Sequence, residues 1–440
     1  MEVSGNETIC VVGLGYVGLP TAISFHRAGF TVIGVDVSEH IVKSLNNGLN
    51  HLVDTSATLD IPVKSPRWRV TNQFEEGVTK SDVILITVPT PVNEDNSPDL
   101  SFVRSASSSV LDNIDRSKKT VVVLESTVFP GVTRQILGGL CVEKGLLQGE
   151  QVVLAYCPER VNPGDVSREV NSVAQIVGCD DSETGEFLTE LFGKITTESS
   201  TFVGSIEVAE ASKMIENVQR DIDIALANEL AIVLPLLGVD VEDVLSAAAT
   251  KWNFHRHTPG IGVGGHCIPV DPYYYMAIAE EAGFPSLLSA SARKINNSMP
   301  VKTADEILQL MGSRAHPKVL VLGYAYKAEV GDVRETPVRA LTQHLNDSGC
   351  VVLVWDPLVK DDEFPIWVTG VSGPYDCDGL DAVVLATAHR QILEIDWGRV
   401  LETCNYPLIY DGRRVLDRDV FEEMGWKFTG VGAPNFFPND

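Results

Sequence analysis

Three groups of residues have types and spacings that could do chemistry. The first is Gly262-Val-Gly-Gly-His-Cys-Ile-Pro-Val-Asp-Pro272, with one thiol and one carboxylate four residues apart. Glycines around Cys267 would clear side chains from the sulfur, and a thiolate is a strong nucleophile where cations or backbone N–H groups favour it. From composition alone, a buried, inert cysteine in a structural turn explains the segment better. The second group is Glu210, Lys213 and Asn217, spaced three and four apart and so on one face of a helix. A cation and an amide donor are what a developing oxyanion needs. Read alone, they are more simply solvated helix residues.

The third group is Gly13-Leu-Gly15-Tyr-Val-Gly18, with Asp36 twenty-one positions after Gly15. Gly13 permits a tight turn, Gly15 lets the backbone approach a pyrophosphate, and Gly18 allows close helix–strand packing. The anion would rest on the N–H groups of the following helix. Asp36 would accept from ribose hydroxyls, and Val37-Ser38 offers no arginine for a 2′-phosphate, which favours NAD over NADP. The competing explanation is a glycine-rich turn in another α/β protein, with Asp36 capping an element.

The elements around these groups suit them. Apolar runs at Thr8–Val12, Thr31–Val35, 83–88, 120–125 and 151–156 alternate with helical stretches, as in a parallel, doubly wound sheet. From Glu207 to Leu237 the pattern is helical almost without a breaker, and further helices are expected at Ser246–Thr250 and Ser286–Ser298. The segment 258–272 between them reads as an ordered loop. Pro300 and Pro317 flank a second αβ alternation, with strands at Lys318–Leu322, Val351–Trp355, 382–386 and 408–410. The expected fold is α/β: two Rossmann-like doubly wound parallel-sheet domains, 1–206 and 316–440, joined by a central helical domain, 207–300, with a long helix.

Composition narrows the class. The chain has 440 residues, 34 basic and 60 acidic, for a net charge of −26. That charge weighs against nucleic acid or an anionic membrane as partner. No apolar run spans a bilayer and no leader pattern opens the chain, so the cytoplasm is expected. Eight cysteines, at 10, 141, 157, 179, 267, 350, 377 and 404, form no CxxC pair, which argues against a metal site or a disulfide framework.

These motifs, with Val88-Pro-Thr-Pro91, Glu125-Ser-Thr-Val-Phe-Pro-Gly-Val-Thr133, Pro158-Glu-Arg160, Ala209–Asn217, Gly323-Tyr-Ala-Tyr-Lys327 and Asp332-Val-Arg-Glu-Thr-Pro337, resemble the UDP-glucose/GDP-mannose 6-dehydrogenase family in order along nearly the whole chain. The resemblance implies a four-electron oxidation of a nucleotide sugar's C6 alcohol, by way of an aldehyde captured on Cys267 as a thiohemiacetal and then a thioester. It implies an oxyanion role for Lys213 and Asn217, and proton or water handling by Asp271, Glu159 and Thr127. NAD contacts are implied at Gly13, Gly15, Tyr16, Val17, Gly18, Asp36, Pro89, Thr90, Thr127 and Arg334. Substrate contacts are implied at Glu159, Arg160, Lys213, Asn217, Gly264, Lys327 and Arg413. His266 is read as shaping the loop.

Val270, His266, Arg160 and the run Cys157–Asp165 look closer to the UDP-N-acetylhexosamine branch (N-acetylmannosamine or N-acetylglucosamine) than to UDP-glucose. Tyr326, where phenylalanine is usual, and Ala328–Gly331 depart from the family pattern and bear on uridine specificity. The product would be a uronate for polysaccharide or glycan precursors, made by a homodimer joined through the central helix. UDP-glucose 6-dehydrogenase is the nearest alternative. A two-electron β-hydroxyacid dehydrogenase would need neither Cys267 nor a second α/β domain, and a non-catalytic nucleotide-sugar sensor need not keep Cys267, Lys213, Asn217 and Asp271 together.

Overall fold

The computed structural model describes residues 3–52, 59–160 and 172–434. The chain forms two compact units, Met1–Glu216 with Tyr273–Phe284, and Asn217–Pro272 with Pro285–Asp440. The helical residues 207–300 are divided between them.

In the first unit the strands are β1 (Thr8–Val12), β2 (Thr31–Val35), β3 (Trp68–Thr71), β4 (Val83–Ile86), β5 (Thr120–Leu124), β6 (Val152–Tyr156), β7 (Gln175–Cys179) and β8 (Ser200–Gly204). They line up as β3-β2-β1-β4-β5-β6-β7-β8. The central strands β4, β5 and β6 are buried at every position because helices cover both faces. Ile9 and Val11 enter one buried cluster, and Cys10 and Val12 enter the other. All pairings are parallel except β6 with β7, an antiparallel join at Ala155↔Cys179 and Tyr156↔Gly178 that the strand pattern did not announce. β3, β7 and β8 were not foreseen either. β8 is half-exposed and β7 opens on Gln175, so neither reads as a buried run.

The second unit has β9 (Lys318–Leu322), β10 (Val351–Trp355), β11 (Thr369–Gly370), β12 (Ala382–Leu385), β13 (Leu408–Asp411) and β14 (Lys427–Gly430), ordered β11-β10-β9-β12-β13-β14 and wholly parallel. Here too alternate residues part, Val319 and Val321 to one cluster, Leu320 and Leu322 to the other.

The long helix runs Ile206–Val233, tightens into a 3₁₀ turn at Leu234–Leu237 and stops at Gly238, whose φ of 73° is left-handed. Asp240 caps the next helix, Val241–Ala248, which starts earlier than the expected Ser246. The helix Leu287–Met311 passes straight through Pro300, where a break was expected. Proline removes one helical hydrogen bond, but Met299, Ala304, Ile307 and Met311 on either side are buried in the second unit's core and hold the helix on course. No described helix is long and apolar enough to cross a membrane.

Candidate active site

The turn after β1 gives each glycine of the first motif a separate reason. A Cβ on Gly13 (φ 91°) would lie 2.7 Å from the Thr87 carbonyl oxygen, and one on Gly18 would lie 1.9 Å from the Gly13 carbonyl oxygen. A Cβ on Gly15 would meet nothing within 4 Å. Gly15 is therefore glycine for what must come near it, and the helix Gly18–Arg27 begins directly behind. Asp36, at the end of β2, is half-buried. One oxygen accepts from Leu14 N (2.8 Å) and the other from Ser38 N (2.8 Å), so the carboxylate is held at the lip of the turn. An open glycine turn, a helix N-terminus and a fixed acceptor together fit a dinucleotide.

Three further loops leave the same C-terminal edge of the sheet, where ligands of open α/β sheets bind. After β4 come Val88-Pro89-Thr90-Pro91. After β5 come Glu125, Ser126 and Thr127, and after β6 come Cys157, Pro158, Glu159 and Arg160. Ser126 ties the first two loops together: its hydroxyl donates to Val88 O (2.7 Å) and accepts from Val88 N (2.9 Å). Tyr274 Oη donates to Pro91 O (3.1 Å) and pins the same loop. Arg160 forks onto Glu216 (3.1 and 2.5 Å) and donates to Ala174 O (3.0 Å), so this guanidinium is held by the protein itself. Val161–Asp165 of the branch-specific run lie outside the described residues.

Glu210 was grouped with Lys213 and Asn217, and the structure gives it different work. It is fully buried and accepts from Gly131 N (2.6 Å), Thr133 N (2.9 Å) and Thr133 Oγ1 (2.6 Å). It thus anchors the turn after Thr127 to the long helix. Burial raises its carboxyl, opposed by the Thr133 and Gly131 hydrogen bonds.

Lys213 and Asn217 are both buried, one turn apart on the long helix, against the expectation for solvated helix residues. The Asn217 amide donates to the carboxylate of Asp271, itself buried at the first position of the helix Asp271–Glu281. Cys267 is joined to Asp271 by a tight turn, its carbonyl accepting from Val270 N (3.1 Å) and Asp271 N (2.9 Å). None of the eight cysteines is in a disulfide, and Cys267 alone is exposed. The buried thiols are pushed up by desolvation, Cys141, Cys179 and Cys350 to about 11.

The glycines before Cys267 do something the sequence did not reveal. A Cβ on Gly262 (φ 138°) would meet Pro337 at 2.7 Å, one on Gly264 the Glu335 carbonyl oxygen at 2.7 Å, and one on Gly265 (φ 92°) the Tyr326 ring at 2.7 Å. They are needed because the loop lies flat on the segment 326–337, not only to clear space around sulfur. Tyr326, noted as a departure in the sequence, is thus the floor of the cysteine loop. His266 Nε2 lies 3.4 Å from Asp332, which also pairs with the exposed Arg334 (2.7 Å). Burial alone would raise the Asp332 carboxyl, but hydrogen bonds from His266 and Arg334 hold it well below the usual range.

Lys327 is half-buried beyond β9, where its turn was expected to place it. Past β13, Asp411 is fully buried and accepts from the N–H groups of Arg413, Arg414, Val415 and Leu416 (2.7–2.9 Å). This nest shapes the turn presenting Arg413, whose Nε donates to Ala386 O (2.5 Å) while Nη2 is buried without a partner among the described residues. Burial lowers Arg413 to about 10, opposed by Asp411. The Asp-Gly-Arg sequence hinted at the turn but not at the fourfold acceptor. Among the described residues no cluster of His, Cys, Asp and Glu could hold a metal ion.

A doubly wound sheet with an open glycine turn and an acidic strand end defines an NAD-dependent dehydrogenase, here with a second α/β unit and an exposed cysteine. The chain belongs to the UDP-glucose/GDP-mannose dehydrogenase family: the family's NAD-binding domain matches residues 7–196, its central domain 207–298 and its UDP-binding domain 320–418. It is an oxidoreductase acting on nucleotide sugars. It is 35% identical over 424 residues to the UDP-N-acetyl-D-glucosamine 6-dehydrogenase of Pseudomonas aeruginosa (93% of this chain, 97% of that protein). Among solved structures, the UDP-D-ManNAc dehydrogenase of Pyrococcus horikoshii superposes with a TM-score of 0.86 at 31% identity, covering 97% of this chain and 99% of that one. The UDP-glucose dehydrogenase of Pyrobaculum islandicum does so with a TM-score of 0.84 at 28% identity, covering 93% and 95%.

Proposed function

We propose that this chain oxidises the C6 hydroxymethyl of a UDP-N-acetylhexosamine, N-acetylglucosamine or N-acetylmannosamine, to the carboxylate, with Cys267 as covalent nucleophile. The observation that carries the covalent step is the exposure of Cys267, alone among eight cysteines, in the turn that leads to Asp271. Bound NAD supplies the hydride acceptor, and the Gly13–Gly18 turn with Tyr16, Val17 and Asp36, together with Pro89, Thr90, Thr127 and Arg334, would hold it.

In this reading Asp271, oriented by Asn217, takes the proton as the C6 alcohol gives up hydride. Cys267 adds to the aldehyde carbon, its thiol proton passing to the aldehyde oxygen; with a second NAD in place of the first NADH, the thiohemiacetal would give up its hydroxyl proton and a hydride, leaving a thioester on the sulfur. Lys213 supplies positive charge and Asn217 a hydrogen bond to the oxygen that becomes negative. Thr127 holds a water, Glu159 takes its proton as it attacks the thioester, and the carboxylate leaves with Cys267 regenerated. Lys327 and Arg413 would meet the nucleotide and sugar phosphates. Arg160 and the backbone of Gly264 would line the sugar. A buried guanidinium nitrogen without a partner supports a ligand anion at Arg413.

The names of the relatives support an N-acetylated sugar, while the likeness to a UDP-glucose dehydrogenase keeps UDP-glucose as the second reading. A panel of UDP- and GDP-sugars followed by NADH absorbance separates them. An N-acetylhexosamine should give the highest kcat/KM, and a higher value for UDP-glucose would overturn the assignment.

A homodimer through the long helix belongs to the same reading. Val208, Ile215, Leu226 and Val233 are exposed at spacings of whole turns, an apolar stripe on one helix face. Sedimentation should show a dimer that Leu226→Glu dissociates, and a monomeric parent would refute it. Cysteines outside any disulfide fit a reducing compartment, the cytoplasm, and the uronate product would feed polysaccharide or glycan assembly.

A further inference from the structure

The proposed chemistry makes no use of Glu125, a buried acid at the same edge of the sheet. Glu125 is the first residue beyond β5, and Cys157 the first beyond β6. The strands pair in register as Leu124↔Tyr156, and Cys157 N donates to Leu124 O (3.1 Å), so the two loops leave the sheet side by side. Glu159 follows two residues later. Glu125 is 4% exposed, and its Oε2 is buried with no hydrogen-bond partner among the described residues. An ionised carboxylate in that position would carry an uncompensated buried charge, among the costliest arrangements a protein can hold. Glu159 is placed differently. It is half-buried, and its Oε1 accepts from Arg160 N at 2.6 Å, a bond that favours the anion.

We propose that Glu125 and Glu159 form a carboxyl pair holding one proton, kept on Glu125, so that the negative charge and the capacity to take a proton from water sit on Glu159. The other groups facing the pair agree with this division. The Cys157 thiol, at the start of the second of these loops, is buried and cannot supply a compensating positive charge. The Arg160 guanidinium is committed to Glu216 and Ala174 O, and the Tyr156 hydroxyl donates to Ser126 O (3.2 Å). Burial first, and then the neighbouring Glu159 charge, push the Glu125 carboxyl well above the usual range. Two like acids close together cannot both ionise, so the better solvated one carries the charge. Glu125 acts through Glu159 and is a positioning residue. Its neutral form keeps a like charge away from the base and from the thioester oxygen.

The proposal rests on the base role given to Glu159, and the test keeps the two apart. Infrared spectra of the full chain separate a protonated carboxyl from a carboxylate and can be titrated from about pH 5 to 9. The parent should show a protonated-carboxyl band at neutral pH that Glu125→Gln abolishes and Glu159→Gln retains. In Glu159→Gln the band should disappear at a pH lower by about one unit, because the repelling charge is gone. No band in the parent, or a midpoint unmoved by Glu159→Gln, would overturn the pair. If Glu125→Gln fails to fold, the midpoint shift in Glu159→Gln decides alone. Single-turnover kinetics test the other half: Glu159→Gln should accumulate the Cys267 thioester. Unchanged hydrolysis would remove the base role while a shifted band still established the shared proton.

Discussion

Past β1 the chain turns at Gly13, where a Cβ would crowd the Thr87 carbonyl. Past β9 it turns at Gly323 (φ 85°), where a Cβ would lie 2.5 Å from the Thr387 carbonyl oxygen. Both strands sit at the point where the strand order reverses, and both turns face an aspartate at the end of the neighbouring strand, Asp36 and Asp356. From there the units diverge. In the first, Gly15 faces open space and half-buried Asp36 binds two backbone N–H groups. In the second, the corresponding place is taken by buried Ala325, whose carbonyl accepts from Thr387 Oγ1 (2.5 Å). Buried Asp356 accepts from Tyr324 N (2.6 Å), Ala325 N (2.9 Å), Leu358 N (2.8 Å) and His389 Nε2 (3.1 Å). His389 Nδ1 accepts from Glu329 N (3.0 Å), so the ring proton on Nε2 faces Asp356. The same turn is an open cradle in one unit and a filled, self-satisfied joint in the other. A Rossmann-like fold therefore does not by itself make a dinucleotide site. A half-exposed carboxylate at the lip of the turn and an uncovered glycine do.

Mutations can break this contrast, in descending order of effect. Cys267→Ser should lower turnover at least about a thousand-fold while leaving NAD affinity unchanged by calorimetry, since Cys267 is not among the proposed NAD contacts. Asp356→Ala should cost about 3 kcal/mol of stability in urea unfolding, since it strands three N–H groups and His389, and should not alter NAD binding. Gly15→Ala should weaken NAD about tenfold, some 1.4 kcal/mol, with an unchanged Tm, because its Cβ meets no protein atom. The smallest effect is acid sensitivity. Burial alone would raise Asp356, but hydrogen bonds from His389, Ala325 and Tyr324 outweigh it and lower the carboxyl. A depressed carboxylate contributes stability that is full above its unfolded value, about 3.9, and fades as pH falls through the folded one. Unfolding followed by circular dichroism should show that loss below about pH 4 in the parent and a shallower one in Asp356→Asn.

The sequence made some of this plain and hid the rest for physical reasons. Gly13, Gly15, Gly18 and Asp36 were legible because each role is local to one strand–turn–helix. The buried strands β1, β4 and β9 were legible because unbroken apolar runs have few other uses. The edge strands β3, β8 and β14 were not: β8 is only half-buried, and the short β3 and β14, though mostly buried, are interrupted by Arg69 and Thr71 and by Thr429 and Gly430, so neither shows an unbroken apolar run. Pro300 misled because its breaking tendency is a local property, overcome by burial on both sides. Glu210 was grouped by spacing, and its partners Gly131 and Thr133 lie some eighty residues earlier in the chain. The roles of Asp411, Asp356 and Glu125 were hidden, because an acidic residue after a strand looks alike whether it caps a turn, fills a joint or keeps a proton.

The central claim, that one site carries a nucleotide sugar's alcohol through to the acid on Cys267, is tested most directly by the stoichiometry of a complete turnover. With a limiting UDP-N-acetylhexosamine and excess NAD, the account predicts two NADH per sugar and a uronate product with no free aldehyde. One NADH per sugar with aldehyde accumulating would contradict it.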